Sequence, residues 1–319
     1  MENREIQSRS DAYGRPACSR EREREQGQMV FDQKGFIHTN GCPEQKECRK
    51  SSRLEKILLP LALAVGIFLL VYPSASDYWN SFHQSRAVSK YAAQVAEMDR
   101  EQYAAMIRAA EEYNARLSKN GIVWVMGEEQ KAEYNSLLSI DGSGIMGYID
   151  LPKINVKLPI YHGTSEKVLQ TSIGHLEETS LPVGGRGSHC VLSGHRGLPS
   201  AKLFSDLDKV AEGDIFTLSV LNETYTYEVD QIRVVVPSDL SELKIVPGRD
   251  LCTLVTCTPY GINTHRLLVR GHRTENQHGD ALVTADAMQL EPAFVAPFLM
   301  LPAVIVLLLL LLFRTPGAG

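Results

Sequence analysis

A cysteine at the end of a predicted strand is the residue in this chain best placed for covalent chemistry. The segment TLVTCTPYGINTHRLLVRG spans residues 253–271 and places Cys257 at the end of an apolar run, directly before a turn. A thiol performs acyl transfer when a nearby base takes its proton. Cys190 and Cys252 lie within apolar runs and are interpreted as core residues. Cys252 lies roughly 16 Å before Cys257 along an extended strand, and a disulfide needs less than about 7 Å. Cys257 is therefore the candidate nucleophile.

A histidine is the usual partner base for such a thiol. His195, in LSGHRGLP, also follows a β-type run and is flanked by glycines, so it is the candidate. Five further histidines within residues 145–275 compete for this role: His162, His175, His189, His265 and His272. A serine nucleophile is less favoured, because no G-x-S-x-G elbow surrounds Ser188 or Ser193.

An arginine opens the run that follows the cysteine. The guanidinium group of Arg266 stays protonated, so it cannot act as a base, but its donors can hold a carbonyl or a developing oxyanion. Side chains alternate along a strand, so Arg270 shares the face of Arg266 and competes for the role. Spacing alone does not choose between them.

The composition limits the classes of function. The chain has 319 residues with 44% hydrophobic content, enough for one sizeable core and additional segments. A net charge of −5 gives no electrostatic basis for binding nucleic acid. The six cysteines are too sparse for a disulfide-rich scaffold. Cys42 and Cys48 lack the spacing and the neighbouring histidines of a zinc site, and we expect neither metal nor cofactor.

Two apolar segments, residues 57–72 and 294–313, frame the chain and predict membrane spans. A crossing helix needs about 17–25 residues, so the first segment is only just long enough and the second has the full length. Their basic flanks are Arg49, Lys50, Arg53 and Lys56 before the first, and Arg314 after the second. The positive-inside rule then places both termini in the cytoplasm and the central region outside the cell. Small residues after the first segment leave a cleaved signal peptide as the alternative to an anchor.

The region between the spans changes character near residue 145. Apolar residues at helical spacing over residues 88–110 predict one or two amphipathic helices. Short β-type runs separated by prolines and turns then predict a barrel or a sandwich. The predicted organisation is a disordered cytoplasmic tail (1–53), a transmembrane helix (54–73), a helical region with a possible lid (74–144), a catalytic β-domain (145–275), a linker (276–293), a second transmembrane helix (294–313) and a cytoplasmic tail (314–319).

Several of these segments together resemble the sortase family. TLVTCTPYGINTHRLLVRG resembles its signature, in which a TLxTC strand end is followed by an arginine that opens the next strand. GHRGLPSAKLFSDLD resembles the histidine segment of the class C, pilus-assembling sortases, and MGYIDLPKINVKLPIYHG resembles the start of the family's barrel. The resemblance covers about residues 147–273. It implies a mainly β fold: a closed sortase-type β-barrel with N-terminal amphipathic helices and flanking transmembrane helices.

The resemblance also implies a reaction at the cell surface. Cys257 would attack the Thr–Gly bond of an LPxTG-like sorting signal, His195 would protonate the departing amine, and Arg266 would bind near the scissile carbonyl. A lysine of the next pilin subunit would then form an isopeptide bond. The implied partners are pilin subunits and membrane lipid. The alternatives are a cell-wall-anchoring sortase that uses a peptidoglycan-precursor amine, and a non-catalytic, membrane-anchored β-barrel binding module.

The residues expected to border the substrate groove are Ser193, Gly194, Thr256, Tyr260 and Asn263. Many class C sortases carry a lid with an Asp-Pro-aromatic anchor, but this chain contains no Asp-Pro pair. Trp124 lies where a lid would be expected. We favour the interpretation that Trp124 packs on the helices or the barrel over the alternative that it plugs the site.

Overall fold

The computed structural model describes residues 53–122 and 124–276. The predicted N-terminal tail, the linker from residue 277, the second apolar segment and the C-terminal tail lie outside the described residues.

The first apolar segment is the beginning of one long helix, α1, which spans Arg53–Glu97. At 1.5 Å per residue, its 45 residues reach about 68 Å, roughly twice the hydrocarbon core of a bilayer. The helix is long and apolar enough to cross a membrane, and side chains such as Phe68 and Leu70 in its apolar part are exposed. It continues without a break through Pro73, so the apolar part and the part that packs on the barrel form one helix.

Three shorter helices follow: α2 (Arg100–Asn120), α3 (Glu128–Ser136) and α4 (Glu166–Leu169). The buried Asn114 fastens α2 to the barrel, because its amide donates to Leu181 O (3.0 Å) and accepts from Leu181 N (2.7 Å). The same amide also donates to Gly184 O (3.4 Å), so all its hydrogen bonds are made with backbone and fix the helix against the segment before β4.

Eight strands close into a barrel, which confirms the predicted barrel fold and excludes a sandwich. The strands are β1 (Ile145–Leu151), β2 (Val156–His162), β3 (Ile173–His175), β4 (Ser188–Ser193), β5 (Ile215–Val220), β6 (Glu223–Val235), β7 (Asp250–Thr258) and β8 (His265–Arg273). Their order around the barrel is β1-β2-β3-β4-β7-β8-β6-β5. Short 3-10 turns lie at Pro152–Ile154, Leu207–Lys209 and Ser241–Leu243.

Two of the eight pairings are parallel, β2 with β3 and β4 with β7. Because β4 and β7 run in the same direction, both finish at the same end of the barrel, which we call the carboxyl end; the opposite end is the amino end. The antiparallel pairings make β1 run in the same direction as β4, so Leu151 lies at the carboxyl end and Met146 near the amino end. Residues that follow β4 and β7 therefore meet at the carboxyl end.

The barrel interior holds alternate side chains of each strand. Phe216 of β5 stacks on Tyr227 of β6 with ring centroids 5.5 Å apart, and both are fully buried. Cys190 and Cys252 lie in this core as predicted, directly opposite each other on β4 and β7, and both are free thiols. Burial raises the pKa of Cys252, so its thiol is protonated and unreactive at neutral pH.

Helix α1 is tied to the barrel by a buried tyrosine near the amino end. The Tyr91 hydroxyl donates to Met146 O (3.0 Å) and accepts from Leu221 N (2.8 Å). Leu221 follows β5, and both residues are buried. The hydroxyl therefore joins α1 to two neighbouring strands at once.

We expect Tyr91→Phe to lower the free energy of unfolding by about 1–3 kcal/mol, because the buried N–H of Leu221 loses its acceptor. Urea-induced unfolding of the detergent-solubilised chain measures the change. The matched control is Tyr103→Phe, which removes a hydroxyl that makes no hydrogen bond among the described residues from a ring packed on the core. Equal effects of the two substitutions would contradict the role of the Tyr91 hydroxyl.

Candidate active site

The strand register brings the three predicted catalytic residues into one row. Cys257 on β7 is directly opposite Arg266 on β8. On the other side of β7, Ser193 of β4 is opposite Val255, and continuing this register by two residues places His195 opposite Cys257. Residues opposite each other on adjacent strands project from the same face of a sheet, with Cβ atoms about 5 Å apart. The row His195–Cys257–Arg266 therefore places a thiol between an imidazole and a guanidinium group.

This row lies on the outer face of the barrel. Leu254 and Thr256, which alternate with Val255 and Cys257, are buried inside, and Thr256 is only 2% exposed. Cys257 is partly exposed, in contrast to the two core cysteines. A polypeptide can therefore approach the thiol from outside the barrel.

Backbone contacts hold the segment that carries His195. Gly194 N donates to Val255 O (3.0 Å), and the Thr256 hydroxyl donates to Gly194 O (2.8 Å). A Cβ at Gly194 would lie 2.7 Å from Cδ2 of Phe204, so only glycine fits there. Phe204 N in turn donates to His195 O (3.2 Å). Thr256 is a correction to the predicted groove: its side chain faces the interior and positions the histidine segment instead of bordering the groove.

Three of the competing histidines are structural. The ring nitrogens of His162 lie 3.0 Å and 2.8 Å from two backbone carbonyls, those of Gly144 and Leu137. His175 and His189 are fully buried and have both ring nitrogens within hydrogen-bond distance of neighbouring oxygens. Burial lowers the pKa of His162 and of His189, which keeps both rings neutral.

The other two competing histidines lie on β8, away from the row. His265 pairs with Thr258. Because side chains alternate along a strand, the His265 side chain points to the other face of the sheet from that of its neighbour Arg266. His272, near the amino end, lies 3.9 Å from the carboxylate of Asp230. Of the histidines considered, His195 is the one in register with Cys257.

The same register separates the two candidate arginines. Arg270 forms a forked ion pair with Asp230, with Nε 2.9 Å and Nη2 3.2 Å from its two carboxylate oxygens. It is opposite Thr253, about 13 Å from Cys257 along β7. Arg266 is ion-paired with no carboxylate among the described residues; its Nη1 donates to two backbone carbonyls, those of Asn263 (3.3 Å) and His265 (3.1 Å). Arg266 is thus the arginine beside the thiol.

The β7–β8 loop forms one rim of the site. Asn263 has φ +60°, in the left-handed region that asparagine tolerates, and its carbonyl accepts from Arg266. Tyr260 is 62% exposed, and its ring packs directly on Gly197. Ser193 precedes His195 by two residues, so it is on the same outer face, opposite Val255. These three predicted groove residues, Ser193, Tyr260 and Asn263, surround the row.

Arg196 is a site residue that the sequence analysis did not identify. Its Nη2 lies 2.6 Å from the carboxylate of Asp208, and its guanidinium lies 5.7 Å from the Tyr260 ring centroid. Nη1 also contacts the Thr258 hydroxyl at 3.5 Å. Arg196 therefore joins the segment after His195 to the end of β7 and to the rim loop. The position of Arg196 next to the histidine in GHRG was the one sequence feature that could have indicated it. Its partners are determined by the tertiary fold.

An apolar strip extends from the row along the outer face. It consists of Val191, Leu243 and Leu268, with Trp124, Leu176, Val235, Leu240 and Val255 packed against them. Val255 and Leu268 form the row directly below Cys257 and Arg266, so the strip begins about 7 Å from the thiol. Trp124 packs on this outer strip. The outer strip offers apolar contacts to an extended peptide whose backbone reaches Cys257.

The described residues hold no group of three or more His, Cys, Asp or Glu side chains that could bind a metal ion.

Comparisons with known proteins show what this chain is similar to. The sortase domain family matches residues 149–274. Sortase A of Bacillus anthracis is 31% identical over 133 residues, which cover 42% of this chain and 61% of that protein, less than two thirds of its length. The crystal structure of sortase C1 from Streptococcus agalactiae is 61% identical with a TM-score of 0.60, and the match covers 60% of this chain and 100% of that one. A Clostridium perfringens sortase C structure with the C-terminal cell wall sorting motif is 43% identical, with a TM-score of 0.54 and coverage of 60% and 99%.

We expect Trp124→Ala to leave the rate of thiol alkylation at Cys257 nearly unchanged, because Trp124 packs on the outer strip and Cys257 is already partly exposed. Maleimide labelling followed by mass spectrometry measures the rate at Cys257. The buried Cys190 and Cys252 in the same sample are internal controls that stay unlabelled. A strong increase in labelling at Cys257 would instead show that Trp124 covers the thiol.

Proposed function

Because the chain belongs to the sortase family, and within it to the class C group, we propose that it is a membrane-anchored cysteine transpeptidase that joins pilin subunits. It cleaves an LPxTG-like sorting signal between threonine and glycine and transfers the threonine to a lysine amine. The observation that carries the proposal is the row His195–Cys257–Arg266, formed by β7, β8 and the segment that continues β4.

In the first half of the reaction, the Cys257 thiolate attacks the threonine carbonyl carbon. Arg266 lies opposite Cys257 and donates hydrogen bonds to the oxyanion that develops on this carbonyl. His195, on the other side of the thiol, protonates the glycine amine as the C–N bond breaks. The products are a thioester on Cys257 and the released C-terminal part of the signal.

In the second half, a lysine amine of the next subunit attacks the thioester. His195, which lost its proton in the first half, now takes one from the attacking amine. The C–S bond breaks, the Cys257 thiolate is restored and the new bond is an isopeptide. The imidazole thus serves as acid and then as base, so the site returns to its starting protonation state.

The outer strip supports binding of the apolar part of the signal. Val255 and Leu268 adjoin the thiol, so leucine and proline side chains that precede the scissile bond can pack there while the backbone crosses Cys257. Trp124 forms part of the wall of this groove in our proposal. Burial of these apolar side chains contributes about 25 cal/mol per Å².

The class C neighbours support a pilin acceptor over a cell-wall precursor. One similar structure is a sortase C1 at 61% identity, and another similar sortase C structure contains a sorting motif. The apolar part of α1 provides the anchor in this proposal, with the barrel outside the cell. Incubating the purified chain with a sorting-signal peptide and either a pilin or a peptidoglycan-precursor amine, with mass spectrometry of the product, distinguishes the two acceptors.

We expect Cys257→Ala to abolish high-molecular-weight pilin ladders, because the thioester can no longer form. Immunoblots of cell-wall extracts detect the ladders, and membrane fractions report whether the variant is still present. Cys257 is partly exposed, so truncation of its side chain leaves the core intact. Ladders that persist in this variant would overturn the assignment of the nucleophile.

We expect Arg266→Lys to reduce kcat for cleavage of the sorting peptide by about 100-fold, because lysine keeps the charge but loses the planar fork that holds the oxyanion. The matched control is Arg270→Lys on the same strand, which alters the ion pair with Asp230 outside the row and leaves kcat close to that of the unchanged chain. Unchanged turnover in the first variant together with a loss in the second would move the role to Arg270.

A further inference from the structure

Helix α1 meets the barrel first at the carboxyl end. The Asp77 carboxylate accepts from Lys202 N (2.7 Å), and Asn80 Nδ2 donates to Ser200 O (2.6 Å). The Lys202 ammonium also donates to Ile154 O, in the turn that follows β1 at the carboxyl end. The first contacts along α1 after its apolar part are therefore with loops at the end of the barrel that carries Cys257.

From there, α1 runs along the barrel towards the amino end. Tyr91 bonds to Met146 O and Leu221 N near the amino end, 14 residues or about 21 Å beyond Asp77. Because α1 is unbroken, its apolar part extends away from the carboxyl end in the opposite direction. A membrane crossed by the apolar part would thus lie next to the carboxyl end.

Only a short stretch of α1 separates its apolar segment from its first contacts with the barrel. From Tyr72, the last residue of the apolar segment, Asp77 and Asn80 are about 8 Å and 12 Å further along the helix axis. The headgroup layer on each side of a bilayer is about 5–8 Å thick. If Tyr72 lies at the edge of the hydrocarbon core, the loop that contains Ser200 and Lys202 would lie at the outer edge of the headgroups.

The tip of the β7–β8 loop lies at the same end. The Tyr260 ring packs on Gly197 and lies over the guanidinium of Arg196, in the segment that leads from His195 to Ser200. A continuous set of contacts thus joins α1 to this segment and the segment to the loop tip. The next apolar residue of the tip, Ile262, is 69% exposed.

Exposed apolar side chains concentrate at the carboxyl end. Outside α1, the large exposed apolar side chains of the described residues are Val125, Val234, Val236, Val246, Tyr260 and Ile262. Four of them lie at the carboxyl end: the two in the loop tip, Val234 opposite Leu267, and Val236 just beyond β6. On α1, the exposed Trp79 lies at the same level as Asn80 and is of the residue type enriched at membrane interfaces.

We propose that the carboxyl end of the barrel rests on the lipid surface, with the loop tip Tyr260–Ile262 inserted at the headgroup level beside Trp79. This inference rests on the proposed function in that α1 is the membrane anchor. The occupant of the exposed apolar tip is lipid: insertion removes apolar side chains from water at a site that the helix already holds within reach of the bilayer. The groove at Cys257 then opens next to the membrane.

Tryptophan quenching in vesicles tests the depth of the tip. The full-length chain, carrying Trp79→Phe and Trp124→Phe, is reconstituted into phosphatidylcholine–phosphatidylglycerol vesicles with brominated acyl chains. A single tryptophan is then introduced by Ile262→Trp, or by Val246→Trp as the matched control at an exposed valine close to where β7 begins at the amino end. We expect quenching to be several-fold stronger for Ile262→Trp than for Val246→Trp.

Two results would overturn the proposal. Equal, weak quenching of both tryptophans would show that the tip does not reach lipid. Protection of the Ile262→Trp fluorescence from acrylamide without quenching by brominated lipid would show that a second copy of the chain covers the tip.

Flotation of the same vesicles, and cleavage of a soluble sorting peptide by the unsubstituted chain in matching vesicles, separate this inference from the proposed function. A chain that fails to float lacks the anchor, which overturns the anchoring and this inference together. A chain that floats but shows no quenching overturns the inference alone. Loss of peptide cleavage with normal quenching would overturn the proposed chemistry and leave the membrane contact standing.

Discussion

The parallel pairing of β4 with β7 is the constraint on which the site depends. In a fully antiparallel arrangement of these two strands, the residues after β4 would lie at the opposite end of the barrel from Cys257. The parallel register instead brings Gly194 and Thr256, 62 residues apart in sequence, into direct hydrogen-bond contact. The imidazole reaches the thiol because of this contact. The hairpin-like pairing of β7 with β8 adds Arg266 from the other side, so one strand receives both partners.

The inward and outward side chains of β7 serve different functions. Residues that point inwards, such as Cys252 and Leu254, fill the core and contribute stability, whereas the outward residues carry chemistry and binding. A cysteine on the inner face has a raised pKa through burial, and a cysteine five residues further on is open to substrate. The same residue type therefore has opposite chemical character within one strand, and the difference arises from the facing and the position along the strand.

The sequence predicted mainly the features that depend on neighbouring residues, and it missed some that depend on contacts between residues far apart in the chain. The strand-end position of Cys257 and the arginine at the start of the next run are local features, so they could be identified directly. His195 could be named as a candidate from its position after a β-type run between glycines. The resemblance to the sortases strengthened that choice, because the proximity of His195 to Cys257 depends on a long-range pairing. The burial of Thr256 follows from simple alternation next to an outward Cys257, and applying that rule would have removed it from the groove. The ion pair of Arg196 with Asp208 depends on how a long connection folds back, which no local pattern indicates.

Because helix α1 is unbroken, its length sets both the distance of the barrel from the membrane and the direction in which the groove faces. Each residue of an α-helix advances about 1.5 Å and turns about 100°. One residue inserted between Tyr72 and Asp77 would thus hardly change the height of the barrel, but it would swing the groove through more than a quarter of a circle about the helix axis. Seven inserted residues, close to two full turns, would nearly restore the facing while lifting the barrel by about 10 Å. The few residues between the apolar part and the first barrel contact therefore set the rotation of the barrel about the helix axis as well as its distance from the membrane. Their number is constrained even where their side chains make no contact.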